Sequence, residues 1–221
     1  MSVATENFIK AIFQYSQDAT LNTKPSTIAQ KLGVSSAAAT DMAKKLDLKE
    51  LVVYQKYKPL VLTKKGEFLA LKVIRKHRIW EAFLYQCLGL SLHEIHREAE
   101  LLEHQTSDFL AEKLHEFLGF PNFDPHGDPI PNKKGILTPL PNEISLHTAK
   151  ENETYQITRL QSSDKDFFDF CSDAGLSNGV ELLVQKQFSK PLITKIQIGT
   201  LQLLLPMSIS SKIKIVHQSD L

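Results

Sequence analysis

Six of the ten prolines fall between positions 121 and 141, and this cluster constrains the fold more than any other feature. Proline has no backbone N–H and disfavours helix in the residue before it, so this stretch makes a stiff, extended connection. Ahead of it apolar residues recur at helical spacing. Behind it they alternate as in strands. An α+β fold follows, with a mainly helical part first and a small β-rich part last. A chain of 221 residues has room for two to three small domains, and the boundaries are expected at 1–72, 73–141 and 142–221. His126 lies inside the Pro-rich stretch and is read as a linker residue. No apolar run is long enough to span a bilayer, and Met1–Asn7 has no signal-peptide pattern. A cytoplasmic protein without membrane contact is expected. Cys87 and Cys171 are far apart with no CxxC, which predicts two reduced, buried thiols.

The first part reads as a DNA-binding module. Residues 5–17 pattern as a helix with Phe8, Ile9, Ile12 and Phe13 on one face and Thr5 as its cap. Pro25 to Leu32 is a short helix ending at Gly33, and Ser36 to Leu48 resumes helix with Ala39, Met42, Ala43 and Leu46 inward. Two short helices around a glycine-containing turn form a helix-turn-helix. Ser35, Ser36, Ala38, Thr40 and Lys44 point outward. Small side chains there let the helix approach base edges, and alanine methyls suit thymine methyls. Leu51–Lys56 and Leu60–Thr63 then alternate around Tyr57-Lys58-Pro59 as a β-hairpin wing, whose Lys56 and Lys58 suit phosphates. Residues 1–76 carry 13 Lys/Arg against 6 Asp/Glu, as a DNA reader requires. A solvated basic face or a protein–protein winged helix would share some of these features.

Residues 77–120 reverse the balance, with 3 Lys/Arg, 8 Asp/Glu and five of the eight histidines. A helix is expected from Thr63 to about Gly89, carrying His77 and Glu81 one turn apart. A second is expected from Leu92 to about Leu118. Within it His96, Glu100, Glu103 and His104 are spaced to share one face. Any one of these residues alone is most simply an exposed polar side chain. Six in two clusters at helical spacing point to a site for Mn, Fe, Co, Ni or Zn. Paired helices with Glu and His also suggest a carboxylate-bridged metalloenzyme. That class uses Glu-x-x-His on both helices, and only one helix here has such spacing. No nucleophile motif, phosphate loop or HExxH is present, so metal sensing is favoured over catalysis.

Beyond the prolines, short strands are expected at Thr154–Arg159, Val180–Phe188, Leu192–Ile198, Leu201–Leu205 and Lys212–Val216, with a helix from Asp164 to Ala174. They make a small β-barrel.

Several segments together resemble the DtxR/MntR family of metalloregulators. They are Lys76-His77-Arg78-Ile79-Trp80-Glu81, the run Glu94 to His104, Asp124-Pro125-His126-Gly127-Asp128-Pro129-Ile130-Pro131, and the wing from Tyr54 to Gly66. The resemblance covers the whole chain. It implies a winged helix-turn-helix, a helical metal-binding and dimerisation domain, and a C-terminal SH3-like (FeoA-type) barrel. It also implies a homodimeric repressor that grips palindromic double-stranded operator DNA when its metal corepressor is bound. Carried over, the family's primary site falls on Asn7, Glu100, Glu103 and His104. The second falls on His77, Glu81 and His96, joined by Asp164. Asn7 is neutral where the family has a stronger ligand. Lys10 stands where short manganese-type members carry an acid, which disfavours a closely spaced metal pair and implies the two separate sites of the longer iron-type members. Glu100 replaces the thiolate of iron-type members, which favours Mn²⁺ over Fe²⁺. The rival readings are a carboxylate/His metalloenzyme and a metal-independent winged-helix adaptor.

Overall fold

The computed structural model describes residues 1–18, 20–162 and 164–220. The chain divides into two compact units. One takes Met1–His77, Glu100–Glu112 and Pro131–Leu137, and the other takes Arg78–Ala99, Lys113–Ile130 and Thr138–Leu221.

In the first unit α1 (Val3–Ser16) is capped by Ser2, whose Oγ accepts from Thr5 N at 3.3 Å. Thr5 is therefore not the cap; it is buried inside the first turn. α2 (Pro25–Leu32) starts on proline, which lacks the N–H that a first helical turn leaves unpaired, and ends at Gly33 with φ 65°. α3 (Ser36–Leu48) is capped by Ser35 and buries Ala39, Ala43 and Leu46, as its apolar spacing predicts. The wing is shorter than its alternation suggests: β1 (Val52–Val53) pairs antiparallel with β2 (Val61–Leu62). The flanking backbone donors go elsewhere, Tyr54 N to Asp47 Oδ1 and Leu60 N to Thr23 O. α4 (Lys64–Leu88) follows. Phe8, Ile9, Ile12, Ile28, Ala43, Leu46, Leu51, Leu60 and Ile74 form the core.

The single helix expected from Leu92 onward is two: α5 (Leu92–Leu102) and α6 (Asp108–Phe117). The Thr106 hydroxyl donates to Leu102 O at 2.7 Å, and Ser107 Oγ accepts from Leu110 N at 3.1 Å. Short hydroxyl side chains thus satisfy the groups that a helix end leaves open, and the chain turns there. Glu103 and His104 consequently sit in the turn after α5.

The second unit is built on β3 (Ile144–Ser145), β4 (Glu153–Leu160), α7 (Lys165–Asp173), β5 (Glu181–Ser189), β6 (Leu192–Ile198), β7 (Leu201–Pro206), α8 (Met207–Ser210) and β8 (Ile213–His217). The strands form one antiparallel sheet in the order β3-β8-β4-β5-β6-β7. Register shifts between Ile157 and Arg159 and between Val184 and Lys186 bend it. Its core is Leu146, Ile157, Phe167, Leu176, Leu182, Val184, Ile196, Leu205 and Ile215. Cys171 lies in that core, where burial pushes its thiol up to about 12. Cys87 is exposed, contrary to the expectation that both thiols are buried.

The Pro-rich stretch is not an extended strap throughout. Phe123 bridges Pro129, Asp124 N donates to Asp128 O, and Leu160 N donates to His126 O. Gly127, at φ 93°, lies so close to β4 that a Cβ would fall 1.8 Å from Thr158 O. Asp124, His126, Gly127, Pro129 and Ile130 are buried. Among the described residues no helix is long and apolar enough to cross a membrane.

Candidate metal centre

The first cluster joins α1 to the turn after α5 within the first unit. The ligand atoms of Glu100, Glu103 and His104 lie within 4.8 Å of one another. Glu103 is 1% exposed, so its charge requires close compensation. Lys10 supplies it: Nζ lies 2.7 Å from Glu100 Oε2 and 2.9 and 2.7 Å from the two oxygens of Glu103. His77 Nδ1 is 2.7 Å from Glu103 Oε2 and 3.4 Å from Lys10 Nζ. His77 thus lies in the cluster that the family resemblance calls the primary site.

His104 is oriented by a residue the sequence reading did not single out. Its Nδ1 lies 2.6 Å from Glu6 Oε2. A carboxylate only accepts, so Nδ1 donates to Glu6, which turns Nε2 toward Glu103. That Nε2 is buried without a hydrogen-bond partner, although Glu103 Oε1 is 3.1 Å away. Asn7 Oδ1 is buried without a partner as well. Asn7 follows Glu6 on α1, and both Glu6 and Lys10 of that helix contact the cluster. The carboxylates of Glu100 and Glu103 with the imidazole of His104, and the partnerless amide oxygen of Asn7, are donor types that suit a hard or borderline divalent cation. The residues present fit a metal.

A second cluster lies within the second unit. Glu81 Oε1 is 3.1 Å from His96 Nδ1 and 3.8 Å from His126 Nδ1. Ligand atoms of Glu81, Asp124 and His126 lie within 4.8 Å of one another, and all three residues are buried. His126 Nε2 donates to Leu92 O at 3.2 Å, leaving the Nδ1 lone pair facing Glu81. Burial, reinforced by Glu81 and Asp128, pushes the Asp124 carboxyl well above the usual carboxylate range. Burial also holds the His126 imidazole below its ordinary value. Asp124 and His126 were not singled out as ligands, and the sequence signal that could have found them was the Asp-x-His spacing inside the Pro-rich run. Asp164 is exposed and serves as the N-cap of α7, accepting from Asp166 N at 3.0 Å. It belongs to no group of three closely spaced ligands among the described residues.

Of the residues expected at DNA, Ser36, Ala38, Lys44, Lys56 and Lys58 are exposed on α3 and the wing. Lys44 has an exposed neighbour in Asp41, 3.7 Å away. Ser35 is engaged as the α3 cap, and the half-buried Thr40 donates its hydroxyl to Ser36 O at 2.8 Å.

Three families match in register with these features. Residues 1–60 match the iron dependent repressor N-terminal DNA binding domain. Residues 63–132 match the iron dependent repressor metal binding and dimerisation domain, and residues 144–217 match the FeoA domain. The diphtheria toxin repressor of Corynebacterium glutamicum is 26% identical over 205 residues, covering 86% of this chain and 87% of that protein. An HTH-type transcriptional regulator of Methanocaldococcus jannaschii is 34% identical over 118 residues, covering 53% of this chain and 94% of that protein. Among solved structures, a manganese-dependent transcriptional repressor in complex with manganese superposes with a TM-score of 0.86 at 29% identity, covering 96% of this chain and 99% of that one. The manganese regulator SloR superposes with a TM-score of 0.74 at 33% identity, covering 97% and 98%.

Proposed function

We propose a function from one premise: the chain belongs to the DtxR/MntR family of regulators and carries a FeoA-type C-terminal domain. It is a metal-dependent DNA-binding repressor of metal homeostasis, not an enzyme. Its activator is a divalent metal ion, and its partners are operator DNA and a second copy of itself. Exposed Leu101, Phe109 and Leu110 in the first unit, and Phe117 and Phe120 in the second, supply apolar surface for that self-association.

The finer reading is that Asn7, Glu100, Glu103 and His104 hold one Mn²⁺. The observation that carries it is the buried His104 Nε2, 3.1 Å from Glu103 Oε1, together with the buried and partnerless Asn7 Oδ1 on α1. Two carboxylates, an amide oxygen and an imidazole with no sulfur suit Mn²⁺ better than a thiolate-preferring ion. The ion would supply the positive charge that lets these lone pairs converge. Glu6 holds His104 with Nε2 inward. Lys10, whose Nζ contacts Glu100 Oε2 and both oxygens of Glu103, neutralises these carboxylates and stands where a second, closely spaced cation would sit. α1 and α3 share one core, so a bond between α1 and the turn after α5 restrains the DNA reader. We place a separate second metal at Glu81, Asp124 and His126, with His96 beside it. Base contacts fall to Ser36, Ala38 and Thr40, and phosphate contacts to Lys44, Lys56 and Lys58. Ser35 acts by setting the start of the reading helix. A dimer with two-fold symmetry reads a palindrome.

Anaerobic titration of the metal-free protein with Mn²⁺ or Fe²⁺, followed by anisotropy of a labelled duplex, tests this reading. Mn²⁺ is expected to raise DNA affinity at the lower free concentration. Fe²⁺ acting first would reassign the metal. Metal-loaded protein that binds no duplex at low salt would sink the regulator reading.

A further inference from the structure

We propose that Tyr57, at the tip of the wing, is a DNA-contacting residue whose ring packs on the sugar–phosphate backbone between the phosphates met by Lys56 and Lys58. This rests on the DNA-binding reading above and adds a contact that charge alone does not provide.

Three observations carry it. Lys58 N donates to Gln55 O at 3.1 Å, which makes Gln55–Lys58 a β-turn with Tyr57 in its third position. Tyr57 has φ 69°, whereas Lys56 is not among the residues with positive φ. That pattern is the one a type II turn imposes, and its third position is best filled by glycine or asparagine. A bulky aromatic residue there is an outlier that the turn itself does not require. Tyr57 is also 83% exposed, so its ring contributes no core packing that would compensate for the strain. Finally, Lys56 Nζ lies 4.9 Å from the ring centroid, and Lys58 follows directly. The tip therefore presents cation, apolar ring, cation in sequence. A nucleic-acid strand presents phosphate, deoxyribose, phosphate. The match in charge and in apolar character selects that backbone as the occupant, and the contact is independent of base sequence.

The test uses the full-length, Mn²⁺-loaded protein and a labelled duplex selected from a random pool on the wild type. Tyr57→Gly removes the ring and relaxes the turn. Its melting temperature is expected to equal or exceed that of the wild type, while its DNA affinity falls about tenfold, the effect of losing roughly 50 Å² of apolar contact. The dependence of affinity on salt should keep the wild-type slope, since no charge is lost. Tyr57→Phe should bind within about twofold of wild type, because the ring makes the contact. Unchanged affinity in Tyr57→Gly would overturn the proposal and leave DNA binding itself intact. So would a fall in melting temperature that accompanies the lost affinity, since the ring would then be holding the wing together. A Phe variant as weak as the Gly variant would overturn the packing role. Failure of the wild type to select any duplex would instead strike the DNA-binding reading.

Discussion

At the scale of single residues, the centre depends on partners that bear no metal-ligand signature. Glu6 fixes the His104 ring through Nδ1, as carboxylates behind metal-binding histidines do. Glu6→Ala should therefore weaken Mn²⁺ binding about 10–100-fold, read by competition with a fluorescent chelator, and Glu6→Gln should recover part of the loss. An unchanged affinity would show that the ring needs no orienting. Lys10 tests the opposite effect. Its ammonium sits on both carboxylates, so Lys10→Glu should add one ion to the total bound per chain, measured by calorimetry against the wild type. An unchanged total would mean that Lys10 does not block a second ion at this cluster. The close grouping of Glu100, Glu103 and His104 was legible because histidine and glutamate at helical spacing are rare by chance. Glu6 was not, because one acidic residue in a first helical turn looks like ordinary dipole compensation. His126 was misread because proline composition reports the absence of helix, not the absence of packing. The thiols divide in the same physical way. Cys87 is exposed, while Cys171 is held protonated up to about 12 by burial. Iodoacetamide at neutral pH should label Cys87 alone in the native protein and both after denaturation. Native labelling of Cys171 would contradict the buried assignment.

At the scale of elements, legibility followed the strength of the local signal. α2, the turn at Gly33 and α3 are where proline, glycine and serine place them. β5, β6 and β7 match their alternation almost residue for residue. The break between α5 and α6 was hidden because apolar spacing continues across it, and only the hydroxyls of Thr106 and Ser107 mark it. The two-residue strand β3 was too short to alternate. One contact joins two elements closely enough to test. A Cβ on Gly66 in α4 would lie 1.9 Å from the Leu51 carbonyl oxygen at the start of the wing. Gly66→Ala must push the two apart, and overpacking of this kind costs about 1–3 kcal/mol. Chemical denaturation should show that loss, together with weaker DNA binding as the wing shifts. Full stability in the variant would mean that α4 and the wing approach less closely than described.

At the scale of the whole molecule, the function rests on linkage between metal and DNA rather than on either site alone. On the function proposed above, an ion joining Asn7, Glu100, Glu103 and His104 would bind most tightly to the arrangement of α1 and the α5 turn that suits DNA, and would favour that arrangement. Linkage is reciprocal: the factor by which Mn²⁺ tightens DNA binding equals the factor by which DNA tightens Mn²⁺ binding. Both factors can be measured, one from anisotropy with and without metal, the other from chelator competition with and without the selected duplex. They are expected to agree, and salt should weaken DNA binding steeply without removing the coupling. The variant carrying Glu103→Ala and His104→Ala deletes a buried carboxylate and the imidazole at the centre of the cluster. It should lose both factors together while sedimentation still reports a dimer and circular dichroism a folded chain. In that variant Lys10 keeps Glu100 as an acidic partner. If the double variant collapses, Asn7→Ala with His104→Gln removes two ligands while keeping the carboxylates that compensate Lys10, and the same two factors should vanish. Survival of metal-stimulated DNA binding in that folded variant would move the activating site away from this cluster, and Glu81, Asp124 and His126 would be the residues to substitute next.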